Sequence, residues 1–120
     1  MLSFHLPSTV RVFLCTQPTD MRKSFDGLMG LVTSQLQQDP LSGHLFLFLN
    51  RRRDRLKILF WDHDGLCIYY KRLEAGTFER LVHQAEADPH LELSATDLAL
   101  LLQGVDISSA RRRKRYRRAG

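Results

Sequence analysis

Arg55-Leu56-Lys57-Ile58-Leu59-Phe60-Trp61-Asp62-His63-Asp64-Gly65-Leu66-Cys67-Ile68-Tyr69-Tyr70-Lys71-Arg72-Leu73 reads as two strands and the turn that joins them. Residues 55–61 alternate, and residues 66–73 are rich in Cys, Ile and Tyr, side chains that suit a pleated, half-buried surface. Asp62-His63-Asp64-Gly65 is a hairpin signal, best fitted by a type I turn with Gly65 in the left-handed position. That turn pairs Phe60 with Ile68 and Ile58 with Tyr70. Leu56, Ile58, Phe60 and Ile68 then share one face, with Arg55, Lys57, Leu59, Trp61, Cys67, Tyr69 and Lys71 on the other.

Upstream, residues 44–49 form a continuous apolar run suited to a central strand, and residues 10–15 read as a short strand. Met21, Phe25, Leu28, Met29, Val32 and Leu36 recur at helical spacing, which predicts a helix over residues 21–37 with Asp20 as its N-cap. Gly27 and Gly30 weaken that helix and let it sit close to a sheet. Asp39-Pro40 stops it, and Ser42-Gly43 turns the chain. Downstream, residues 78–87 read as a helix ended by Asp88-Pro89. Ser94-Ala95-Thr96-Asp97 resembles a capping box opening a helix over residues 95–103, with Gly104 as its stop. The expected fold is α+β: an antiparallel sheet of three to four strands packed against one long helix, with a second C-terminal helix. The expected organisation is a single domain over residues 1–108 and a disordered basic tail over residues 109–120.

The formal charge of +5 is unevenly spread. Arg111, Arg112, Arg113, Lys114, Arg115, Arg117 and Arg118 supply seven of the 18 basic residues, leaving 11 against 13 acidic groups in the rest of the chain. A near-balanced body with a cationic tail points to a polyanion partner. Cys15 and Cys67 are too few for a secreted disulfide framework, no export signal is present, and no apolar run could span a bilayer. A cytoplasmic protein with no membrane association is expected.

Asp62, His63 and Asp64 are the first candidates for metal or acid–base chemistry. Side chains so close in sequence at a hairpin tip diverge, however, and Asp before Gly is what a turn asks for. His5, His44, His63, His83 and His90 lack zinc-ligand spacing with the cysteines, and no serine-nucleophile or phosphate-loop motif occurs. No catalytic residue, metal or cofactor is expected. Binding signals are stronger. Arg22 and Lys23 lie at the start of the first helix, whose free N–H groups favour anions. Arg51, Arg52, Arg53 and Arg55 fill an inter-strand loop, with Lys57, Trp61, Tyr69 and Lys71 beyond. Cations neutralise phosphates and aromatic faces stack bases, so these residues and the tail are the expected nucleic-acid contacts.

Four ordered blocks carry a resemblance: residues 19–28, 39–46, 55–65 and 70–74. Thr19-Asp20-Met21-Arg22-Lys23-Ser24-Phe25-Asp26-Gly27-Leu28 is the first, and together they resemble the TnpB accessory proteins of the insertion-sequence-66 family of bacterial transposable elements. The pattern departs at Arg53, where the family carries glycine, and after Phe78, where Glu79-Arg80 replaces Trp-Pro. The resemblance implies a small protein needed beside a separate transposase, which performs the strand cleavage. The expected function is therefore a non-catalytic accessory role in transposition. The expected partners are DNA and the transposase of the same element, with a second copy of the chain as a further candidate. Two other classes fit parts of the sequence: an interaction module that never touches DNA, and a metal-dependent nuclease using Asp62 and Asp64.

Overall fold

A computed structural model describes residues 6–79 and 90–103. The elements run β1 (Val12–Cys15), α1 (Phe25–Ser34), β2 (Leu45–Leu49), β3 (Arg55–Asp62), β4 (Gly65–Arg72), β5 (His90–Leu93) and α2 (Ala95–Gln103). The strands form one five-stranded sheet in the order β4-β3-β2-β1-β5. β1 and β2 are parallel, with Val12 opposite Leu45, while the other neighbours are antiparallel. This corrects the expected antiparallel sheet of three to four strands. The parallel pair is made by the connection: β1, buried along its whole length like β2, leads through a helix packed on the sheet back to β2 beside it. A strand apolar on both sides needs cover on both faces, the situation of a parallel pair linked through a helix. Here α1 supplies the crossover.

Alternating side chains divide the core in two. Leu28, Val32 and Leu36 of the α1 region pack on Phe13, Cys15, Phe46, Phe48 and Leu59. On the other face, Leu98 and Leu101 of α2 pack with Val12, Leu14, Leu45, Leu47, Leu56, Ile58 and Phe78. The rings of Phe13 and Phe46 stack at 5.8 Å. Truncating either to Ala costs about 3–5 kcal/mol, the range for a buried Phe.

The one long helix expected over residues 21–37 is instead ten residues. Its missing first turn has a specific cause. The buried Lys57 ammonium donates to the Met21 and Lys23 carbonyls, at 2.8 and 2.7 Å, and so occupies acceptors a helix would use. Asp20 caps nothing in α1; it accepts from the Arg22 N–H in a separate turn. At Gly27 the helix passes close to Lys23: a Cβ there would lie 3.1 Å from the Lys23 side chain, which would have to shift by a few tenths of an ångström. At the other end, Gln37 takes φ 54° and the Gln38 N–H reaches back to the Val32 carbonyl, which closes the helix early.

The hairpin register also differs from expectation. Asp62 pairs with Gly65, Phe60 with Cys67 and Ile58 with Tyr69. The loop is two residues, and the positive φ falls on His63, at 52°, not on Gly65. A shift of one residue exchanges the faces of β4. Tyr69 and Lys71 therefore join the α2 face, and Tyr70 and Arg72 the α1 face beside Lys57 and Arg55.

β5 was not expected. Its Leu91 and Leu93 pack on the α2 face, while the Arg11 guanidinium grips Glu92 through two bonds of 3.0 and 2.6 Å. The capping box of α2 is present: the Asp97 N–H donates to Ser94 Oγ at 3.0 Å, and the Ser94 N–H reaches the Asp97 carboxylate. The expected helix over residues 78–87 lies mostly outside the described residues, as do Gly104 and the tail; Phe78 and Glu79 themselves are irregular. No helix among the described residues is long and apolar enough to cross a membrane.

Candidate nucleic-acid interface

Because β1 and β2 run parallel, the loops that leave them emerge at the same end of the sheet. β3 starts there and β4 finishes there. Residues 19–23, 50–55 and 70–72 thus converge, and the Thr19 N–H ties the first loop to the Leu49 carbonyl at 2.8 Å. The carboxyl end of parallel strands is where open α/β sheets commonly bind ligands. A shallow cleft of about 290 Å³ opens here, bordered by Thr19, Asp20, Met21, Asn50, Arg51, Arg52, Asp54 and Arg55.

Asn50 shapes the loop between β2 and β3. Its Oδ1 accepts from the N–H groups of Asp54 and Arg55, and its Nδ2 donates to the Asp54 carboxylate at 2.7 Å. That last bond lowers the Asp54 carboxyl below its ordinary value, with Arg52 and Arg55 adding to the effect. Arg51 and Arg52 are left exposed at the tip. Arg53 takes a left-handed conformation, φ 60°. Its guanidinium turns inward to the Phe78 and Glu79 carbonyls, at 3.1 and 2.8 Å. Arg53 is thus a clamp on the chain after β4.

The remaining groups differ in how far their charge is committed. Arg22, 91% exposed, forms a 2.6 Å pair with Asp20, whose carboxyl is lowered to about 2 chiefly by that guanidinium. Lys57 is 7% exposed; it holds the Met21 and Lys23 carbonyls and lies 4.7 Å from the centre of the Tyr70 ring. Arg55 donates to the Tyr70 hydroxyl at 3.4 Å. Arg72 pairs with Glu74 at 2.8 Å. Lys23, Arg51 and Arg52 have no ion-pair partner among the described residues. Arg55 and Arg72 stand directly opposite each other on neighbouring strands, an arrangement of like charges that opposes folding. The Glu74 carboxylate, paired with Arg72, offsets part of that repulsion.

Of the residues expected to contact nucleic acid, Arg22, Lys23, Arg51, Arg52 and Arg55 are brought together. Arg53 and Lys57 are at the same end but turned to structural work. Trp61 lies at the far end of the sheet, opposite Leu66. Tyr69 packs on the α2 core, and the Lys71 ammonium donates to the Leu102 carbonyl near the end of α2, where positive charge is favoured. Arg111, Arg112, Arg113, Lys114, Arg115, Arg117 and Arg118 lie outside the described residues. Tyr70 and Arg72 were missed; a two-residue loop in place of the type I turn would have found both. Asp62, His63 and Asp64 are exposed at the opposite end of the molecule, and no group of three His, Cys, Asp or Glu residues among those described could hold a metal ion.

Two relatives match most of the chain. An uncharacterized protein, y4jC, of Sinorhizobium fredii is 36% identical over 104 residues, spanning 87% of this chain and 86% of its own. A second uncharacterized protein of that organism, y4hO, is 38% identical over 103 residues, spanning 84% and 87%. No solved structure matches significantly. The family model for IS66 Orf2-like proteins matches residues 10–112. The chain therefore belongs to the IS66 Orf2-like, or TnpB, family, which ties it to transposition of an insertion sequence.

Proposed function

We propose that the chain is a non-catalytic accessory protein that holds element DNA by its phosphates, beside a transposase that carries out the strand chemistry. The observation that supports this reading is the gathering of Lys23, Arg51, Arg52, Arg55 and Arg72 at the end of the sheet where the parallel strands terminate. Such contacts give affinity and register with little choice of sequence. The seven cations of residues 111–118 extend the same chemistry by charge alone. The protein acts in the cytoplasm, where the element's DNA is. The body offers the remaining sheet and helix surface to the transposase or to a second copy.

The test is the slope of log affinity against log salt for duplex DNA, which changes by about 0.9 for each phosphate neutralised. The triple variant Lys23→Ala, Arg51→Ala, Arg52→Ala should flatten that slope by about 2–3, and a chain ending at Ser109 should flatten it further. Binding of the transposase with no DNA affinity even in dilute salt would replace this reading with that of a protein-interaction module.

A further inference from the structure

We infer that Tyr70 is a stacking platform for an unpaired base, so that the protein favours single-stranded over duplex DNA. The inference rests on the DNA-binding function proposed above and names its substrate more narrowly. Tyr70 lies on the edge strand β4 and is 47% exposed, large for an aromatic whose neighbour Tyr69 packs into the core. Its setting is fixed by two cations. Lys57 Nζ sits over the ring at 4.7 Å and is itself pinned by two carbonyls; Arg55 holds the hydroxyl. Lys57 against the ring and Arg55 on the hydroxyl orient Tyr70 before any ligand arrives. A pre-set ring loses little freedom on binding.

Charge lies at the right spacing beside it. Arg72 is two residues further on the same face, about 6.8 Å along the strand, and Arg55 stands across from Arg72. Arg51 and Arg52 border the adjoining cleft, as does Arg55, so cleft and platform are continuous. A base stacked on Tyr70 would set its own phosphates among these guanidinium groups. Duplex DNA offers the phosphates but keeps its base faces inside the stack. An unpaired strand offers both, and aromatic stacking tolerates any base.

Fluorescence anisotropy with labelled single-stranded DNA, duplex DNA of the same length and single-stranded RNA, at one salt concentration, tests this. Tyr70→Ala should weaken single-strand binding about 5-fold to 150-fold and duplex binding less than about twofold. Tyr70→Phe, which keeps the ring, should retain the single-strand preference, and 2-aminopurine in the strand should be quenched by wild type but not by Tyr70→Ala. Equal losses on single strand and duplex, or no loss on either, would overturn the platform while leaving phosphate binding intact. Tighter binding of RNA than of single-stranded DNA would overturn the assignment to DNA. No binding to any probe would overturn the parent reading as well.

Discussion

Replacing Arg53 with glycine, the residue that adopts a positive φ without strain, sets two opposed effects against each other. Arg53 holds φ 60°, a conformation that costs a non-glycine residue about 1–2 kcal/mol. Glycine relieves that cost but returns about 0.5–1 kcal/mol of it through its freer unfolded chain. Against the relief stand two half-buried bonds from the guanidinium to the Phe78 and Glu79 carbonyls. Bonds from a charged donor contribute about 1.5–3 kcal/mol each. The loss wins, and Arg53→Gly should destabilise by about 1.5–6 kcal/mol, lowering Tm by roughly 5–30 °C for a domain of this size. Differential scanning fluorimetry and urea unfolding read it directly. The same variant should leave the salt slope of DNA binding unchanged, because Arg53 faces the protein. A higher Tm would refute the clamp, and a flattened slope with unchanged stability would return Arg53 to the DNA surface.

Lys57→Met keeps the apolar stem but removes the bonds to the Met21 and Lys23 carbonyls; urea unfolding should show a loss of about 2–4 kcal/mol, and a change below about 0.5 kcal/mol would contradict its structural role. Arg72→Gln removes one of two facing like charges, so the urea midpoint should hold or rise while DNA affinity falls; a lowered midpoint would show that the Arg72–Glu74 pair outweighs the repulsion. The Asp20 carboxyl should titrate at about 2 by carboxyl NMR and rise toward its ordinary value in Arg22→Ala. Since the folded value is depressed, the contribution to stability is present above pH of about 4 and is lost as pH falls toward about 2; Arg22→Ala should flatten that dependence, and an unmoved Asp20 would assign the shift to another cause.

The parts of the fold legible in the sequence are those written locally. The capping box of α2, the four strands from apolar and β-branched runs, and the apolar stripe of α1 depend on neighbours in the chain. The parallel pairing of β1 and β2 does not, and a continuous apolar run such as residues 45–49 is compatible with a central strand of either sense. The start of α1 was illegible because it is decided by Lys57, 34 residues from the Lys23 carbonyl it holds. β5 is four residues long, too short for periodicity to stand out, and is fixed by pairing with β1. The basic loop was readable as charge, but not which of its arginines turns inward; Arg53 differs from Arg52 only through a φ the sequence does not print. The difference in the hairpin is small in sequence and large in effect: one residue of register exchanges Tyr69 and Lys71 for Tyr70 and Arg72 on the face of Lys57 and Arg55.

The central claim is that the end of the sheet formed by the loops after β1 and β2 meets DNA. Backbone amide chemical-shift mapping of the full chain, titrated with element-end DNA, tests it most directly. Shifts should concentrate at residues 19–23, 50–55 and 70–72 and be small at the Asp62–Gly65 turn and at Arg11 and Glu92. Shifts concentrated at that opposite end, or none in any of the three segments at saturating DNA, would contradict it.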